Sequence, residues 1–85
     1  MGFISQQPNG LYCRFSSVTD CPTHWNMTRE DYLNNATGNI SSQAEGEDIL
    51  NRHLVPFEEV KNRFTTLNMR RKEFNELLRE MGEAE

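Results

Sequence analysis

The turn at residues 7–10, with the sequence QPNG, is the feature that most restricts what this chain can fold into. Its proline presets φ at about −65° in the second turn position, and its glycine accepts positive φ without steric cost. Residues 3–6 before the turn are strand-like, and Leu11–Phe15 after it alternates between apolar and polar side chains. The sequence therefore predicts a β-hairpin over residues 2–16.

Capping patterns and apolar spacing predict that helices make up most of the remaining chain. The predicted helices cover residues 29–34, residues 43–64 with a kink at Pro56, and residues 70–81, which Gly82 ends. Thr28–Asp31 and Ser42–Glu45 have the form of capping boxes at the first two helix starts. Gly46 lies in the first turn after the second box, where glycine weakens a helix by about 1 kcal/mol relative to alanine.

Two segments lack a regular pattern and are predicted to be loops. In residues 17–27, Pro22 and its polar neighbours interrupt any alternation, and residues 35–42 form a flexible segment rich in Asn, Gly and Ser. A hairpin is only marginally stable alone, so it needs apolar cover on one face. We therefore predict a single small α+β domain over residues 1–85, with the N-terminal hairpin packed against three to four short helices.

Composition and motifs narrow the functional classes. A net charge of −4 disfavours general binding to nucleic acid, which normally requires a basic surface. The chain has no apolar run of roughly 20 residues and no basic and apolar leader, so we expect a cytoplasmic protein that does not enter membranes. It contains no P-loop, dinucleotide-binding glycine motif or HExxH motif, and we expect that it is not an enzyme.

Cys13, Cys21, His24 and His53 are of the residue types that bind zinc, and a structural zinc site needs four such ligands. Cys21 and His24 have the spacing of a close ligand pair. The alternative is that both cysteines are buried as small apolar groups and that His53 is a core histidine on an apolar helix stripe. A disulfide is not expected in a reducing compartment, and no cofactor other than zinc is suggested.

Two groups of side chains are candidates for binding a partner. Trp25 and Tyr12 belong to residue types enriched at binding hot spots, although both also suit a core. Arg70, Arg71 and Lys72, at the start of the last predicted helix, are the best candidates for contact with nucleic acid. The alternatives for these three are a solvated face of paired charges or contact with an acidic protein.

The opening residues 2–16, together with Asp20–Thr28, resemble small uncharacterised proteins encoded by phages and integrative mobile elements of Gram-positive gut bacteria. The similarity covers most of the chain and is strongest over the first thirty-odd residues. It brings no known active site with it. The resemblance implies a setting in which small acidic proteins often act by binding a host protein, including nucleases of host defence.

These observations together predict a non-catalytic accessory factor of a mobile element that binds and modulates a host protein, including one of host defence. The first alternative is a nucleic-acid-binding regulator that uses Arg70, Arg71 and Lys72. The second is a zinc-stabilised recognition module. The sequence leaves open the identity of the partner and the oligomeric state.

Overall fold

A computed structural model describes residues 2–83 and contains a three-stranded antiparallel sheet, in the order β1-β2-β3, and four helices. The elements in chain order are β1 (Gly2–Gln6), β2 (Tyr12–Ser16), β3 (Cys21–Met27), α1 (Arg29–Leu33), α2 (Gln43–Arg52), α3 (Phe57–Arg63) and α4 (Arg71–Glu80). The predicted α+β class, with an N-terminal hairpin against short helices, is confirmed.

The β1–β2 turn has the conformation that its sequence predicts. Gly10 has a φ of 87°, and its backbone N–H donates to the Gln7 carbonyl oxygen at 2.9 Å. The buried side chain of Gln7 adds a second constraint, because its Nε2 donates to Asn9 Oδ1 at 2.8 Å. The strands that flank the turn pair from Gly2 with Ser16 onward, which confirms the predicted hairpin.

The predicted loop over residues 17–27 is wrong for most of its length, because Cys21–Met27 forms the third strand. Its pairing with β2 contains two register shifts, so the strand never shows the regular alternation that would identify it in the sequence. Pro22 is tolerated because β3 is an outer strand of the sheet. At Asn26 the backbone has a φ of 54°, and its N–H donates to Gln7 Oε1 at 2.7 Å.

Side-chain caps define the starts of the first two helices. At α1 the capping box is complete: the Asp31 N–H donates to Thr28 Oγ1 at 3.0 Å, and the Thr28 N–H donates to Asp31 Oδ2 at 3.0 Å. At α2 only half of the box forms. The Glu45 N–H donates to Ser42 Oγ at 3.2 Å, while the Glu45 carboxylate accepts from Ser41 instead.

The break near Pro56 separates two helices, α2 and α3, within the region where the sequence predicts kinked helical structure. The connection between them passes beside β1, where the Val55 N–H donates to the Ile4 carbonyl oxygen at 2.9 Å. The last helix lies within its predicted bounds, and Gly82 follows it with a φ of 98°. Among residues 2–83, no helix combines the length and apolar composition that crossing a bilayer requires.

The helices cover both faces of the sheet, because alternate strand residues contribute to two separate cores. The α3/α4 cluster consists of Cys13, Phe15, Cys21, Val60, Phe64, Phe74, Leu77 and Met81. The α1/α2 cluster consists of Ile4, Met27, Tyr32, Ile40 and Leu50. The α3/α4 cluster contains the stacked rings of Phe64 and Phe74, whose centroids are 3.8 Å apart. The sheet is thus the middle of three layers.

Candidate functional site

The four candidate zinc ligands are distributed over different parts of the fold. Cys13 and Cys21 belong to the α3/α4 cluster, and His24 lies on β3. His53 follows the last residue of α2, and its Nε2 lies 3.2 Å from Asp48 Oδ2. Within residues 2–83, no group of three or more His, Cys, Asp or Glu side chains is placed to hold a metal ion.

Both thiols are buried, as the core interpretation predicts. Burial raises the pKa of Cys13 from 9.0 to about 12, against the opposing effect of a hydrogen bond with the Ser5 backbone. The Cys21 thiol lies 3.4 Å from Thr19 Oγ1, to which it donates. A protonated, buried thiol is a poor nucleophile and a poor metal ligand. The core interpretation of His53 is wrong, because its side chain is 62% exposed.

The two aromatic candidates for partner binding differ in their surroundings. Trp25 is 39% exposed on the outer strand β3. Tyr12 is half-buried and packs against the α1/α2 cluster, so much of its surface contributes to the core. The irregular pairing of β3 and its Pro22 make this edge a poor template for a further strand. Trp25 is therefore accessible as an individual side chain rather than as part of an added-strand interface.

The three basic candidates lie at the exposed start of α4, and two of them make defined contacts. Arg70 Nε donates to Glu73 Oε1 at 2.9 Å. The Arg71 guanidinium lies over the Phe64 ring, 4.8 Å from its centroid, an arrangement that attracts the cation to the ring face. Lys72 is exposed beside them. This end of the protein therefore carries positive charges, one of which is held against the core.

The most exposed large aliphatic side chains among the described residues are those of Val18 and Leu67, which have no periodic signal in the sequence. Val18 is 76% exposed in the β2–β3 turn, and Leu67 is 78% exposed in the loop between α3 and α4. Each is a single apolar residue among polar ones, which a search for amphipathic periodicity does not detect. In the sequence, a surface role for these two residues is indicated only by their isolated positions in short polar loops.

Hydrogen bonds join these two loops at one end of the molecule. The Thr65 N–H donates to the Asp20 carbonyl oxygen at 3.1 Å, and Thr65 Oγ1 donates to Asp20 Oδ2 at 3.1 Å. Asn68 Nδ2 donates to the Thr19 carbonyl oxygen at 2.9 Å. Val18 and Leu67 each adjoin a residue of this network. We define the loop surface as Val18, Leu67, Arg70 and Lys72.

Comparisons with known proteins give no match: no protein-family model fits the chain, and no curated protein or solved structure is significantly similar to it. The resemblance to proteins of mobile elements therefore stays a prediction.

Proposed function

We propose that this chain is a non-catalytic protein that binds an acidic partner protein through the loop surface. The observation that carries the proposal is the exposure of Val18 and Leu67, each more than three quarters accessible to solvent. Burying an exposed Val or Leu side chain in an interface contributes about 1.5–3 kcal/mol. Two such side chains at one end of the molecule can supply the apolar centre of a binding site.

The loops that carry these side chains are pre-organised for binding. The hydrogen bonds of Thr65 and Asn68 connect the α3–α4 loop to the β2–β3 turn in the free protein. A partner therefore does not have to order either loop, which lowers the entropic cost of association. The same contacts favour one fixed spacing between the two aliphatic side chains.

Charge indicates the chemistry of the partner. Arg70 and Lys72 of the loop surface, together with the neighbouring Arg71, place three positive charges at the start of α4 in a chain whose net charge is −4. A partner with carboxylates around an apolar depression would complement this surface and would be steered toward it. The same helix also carries Glu76 and Glu80 beyond its first turn, so the positive charge is concentrated at the helix start and does not extend along a nucleic acid.

The sequence resemblance suggests where such a partner would be found. We propose that it is a host protein, and specifically a component of host defence that the accessory factor of a mobile element would inhibit. The test is phage plating on a defended bacterial host that expresses this chain. Plating should rise with the wild-type chain and not with a Leu67→Asp variant. Equal plating with and without the wild-type chain would contradict an anti-defence role.

Site-specific photo-crosslinking tests the binding proposal directly. A benzoylphenylalanine residue replaces Leu67 in one sample and Ala44 in a matched control, since Ala44 is exposed on α2. After irradiation in host cells, we expect a discrete protein adduct from the first sample only. Introducing Val18→Asp should abolish that adduct, because a carboxylate would replace an apolar contact beside the acidic partner. Equal adducts from both positions would contradict the proposal.

Two controls separate loss of binding from loss of folding and from binding to nucleic acid. Val18→Asp should change the free energy of unfolding by no more than about 0.5 kcal/mol, because the side chain is exposed. Binding of DNA and RNA is measured between about 50 and 200 mM salt, where a phosphate-binding protein loses affinity steeply. Tight, salt-sensitive binding that Arg70→Glu abolishes would favour the nucleic-acid regulator instead.

A further inference from the structure

A cleft of about 410 Å³ lies on the side of the sheet that α1 and α2 cover, and none of its lining residues belongs to the loop surface. Its lining includes Ile4, Arg14, Tyr32, Thr37, Ile49 and His53. This volume lies within the range of roughly 300–1,000 Å³ that is typical of small-molecule sites. Phe3 and the two isoleucines supply apolar surface, while the polar side chains of the lining supply hydrogen-bonding groups.

Arg14 supplies a guanidinium to this cleft. Its half-buried guanidinium donates from Nη1 to Thr23 Oγ1 at 3.1 Å, and no carboxylate among residues 2–83 forms an ion pair with it. Four other arginines do pair with carboxylates: Arg29, Arg52, Arg63 and Arg70. Withdrawing a cation from water without a counter-charge is costly, so the position favours an anion beside it.

Tyr32 supplies a second polar group to the same cleft. The residue is only 2% exposed, and it forms part of the cleft lining. A tyrosine hydroxyl can donate a hydrogen bond to an acceptor bound there. Burial and the nearby Glu45 raise the pKa of Tyr32, while the positive charge of Arg14 acts in the opposite direction. At neutral pH the hydroxyl is therefore protonated and can donate.

Gly2 keeps space beside the guanidinium. A Cβ atom at this position would collide with the Phe15 carbonyl oxygen and would lie 3.1 Å from Arg14 Nη2. The absence of a side chain therefore lets the Arg14 side chain lie along the edge of β1. This arrangement holds the guanidinium at the cleft, where Gly2 also forms part of the lining.

We propose that the cleft binds a small organic carboxylate, whose carboxyl group accepts hydrogen bonds from Arg14 and Tyr32 and whose apolar body packs on Ile4 and Ile49. The guanidinium matches the geometry of a carboxylate with two parallel N–H donors. A single cation balances a single negative charge. A dianionic phosphate fits less well, because Asp48 lies 3.2 Å from the lining residue His53 and Glu45 acts on Tyr32.

NMR titration of the isotope-labelled full chain tests this assignment with three probes of similar shape: benzoate, benzamide and phenyl phosphate. We expect benzoate at up to about 10 mM to shift the backbone signals of Ile4, Arg14 and Ile49 with a saturable curve. Benzamide should bind at least about tenfold more weakly, because it lacks the charge that pairs with the guanidinium. The site does not depend on the proposed protein partner, so either proposal can fail alone.

Substitutions test whether Arg14 and Tyr32 bind benzoate. Arg14→Gln and Tyr32→Phe should each weaken benzoate binding, the first by about tenfold or more. Arg29→Gln is the matched control, because it removes an exposed guanidinium and should leave benzoate binding unchanged. If Arg14→Gln does not fold, Tyr32→Phe and the comparison of benzoate with benzamide still test whether the cleft binds a carboxylate. Absence of saturable shifts, equal binding of benzamide, or insensitivity to both variants would overturn the proposal. Tighter binding of phenyl phosphate would overturn the assignment to a carboxylate.

Discussion

Replacing Gly46 with alanine is expected to destabilise the protein, although helix propensity alone predicts the opposite. Gly46 is buried in α2 where that helix packs on α1. A Cβ atom there would lie 2.9 Å from Leu33 Cδ2 and 3.0 Å from Ile40 Cδ1. Both distances are shorter than an ordinary contact between carbon atoms, which is about 3.5–4.0 Å. The neighbouring methyl groups would therefore have to move.

Two effects of opposite sign decide the magnitude. Alanine in place of glycine stabilises a helix interior by about 0.8–1.0 kcal/mol. Adding a methyl group to a packed core costs about 1–3 kcal/mol. Because two neighbours must be displaced, we expect Gly46→Ala to lower the free energy of unfolding by about 1 kcal/mol. For a domain of this size, that corresponds to a fall in Tm of about 4–8 °C.

In a variant that lacks the two contacts, Gly46→Ala should raise the free energy of unfolding instead of lowering it. Leu33→Ala and Ile40→Val each remove a methyl group that the new Cβ would contact. In the double variant that carries both substitutions, Gly46→Ala should therefore be stabilising by about 0.5–1 kcal/mol. Urea unfolding followed by circular dichroism measures all four combinations. Asn51→Ala, at an exposed position of the same helix, reports the propensity effect without packing. If Gly46→Ala stabilises both backgrounds equally, the packing argument is refuted.

Three further predictions test other parts of the fold. The free energy of unfolding should fall as pH rises from 9.0 toward 12, because the Cys13 thiol keeps its proton in the folded state but ionises in the unfolded state. Urea unfolding across this pH range should show a shallower fall for Cys13→Ala than for the wild-type chain. Gly82→Ala should cost more than Gly38→Ala in the same assay: both need positive φ, but only at Gly82 would a Cβ meet Asn9, at 2.7 Å. Phe74→Ala should lower the free energy of unfolding by about 3–5 kcal/mol, because the ring is fully buried and stacked.

Local chemistry made the hairpin and the helix starts predictable. The β1–β2 turn depends on the backbone preferences of Pro8 and Gly10, and the start of α1 depends on the side chains of Thr28 and Asp31. These interactions join residues only two or three positions apart, so the sequence displays them directly. The same locality explains why the end of α4 at Gly82 was predictable.

The third strand was not predictable in this way because it forms through pairing with another strand rather than through a local sequence pattern. Cys21–Met27 is a strand through its pairing with β2, and the two register shifts remove the alternation that marks a strand. His53 illustrates a related limit. An unbroken helix would bury it on an apolar stripe, but α2 ends at Arg52, and the side chain faces solvent. Gly46 shows the same limit for energetics, since the contacts that we expect to oppose alanine there come from Leu33 and Ile40, outside its own helix.

The proposed sites arise from contacts between distant parts of the chain. Asn68 and Thr19, whose hydrogen bond holds the loop surface together, are 49 positions apart. The carboxylate cleft likewise needs Arg14 from the sheet and Tyr32 from α1 on one face. No spacing rule brings these residues together in the sequence. Tyr12 and Cys13, which were chosen as candidates by residue type, instead contribute largely to packing.

The two layers of helices explain why the protein has room for function on both sides of so small a sheet. On one face, α3 and α4 supply stacked rings that bury both thiols, and the loop between these helices is tied to the β2–β3 turn. On the other face, the five residues of α1 and the ten of α2 leave part of the sheet beside Arg14 uncovered. A tightly packed layer thus fixes the loop surface, and an incomplete layer creates the cleft. Because the two features depend on opposite faces, substitutions in one can leave the other intact.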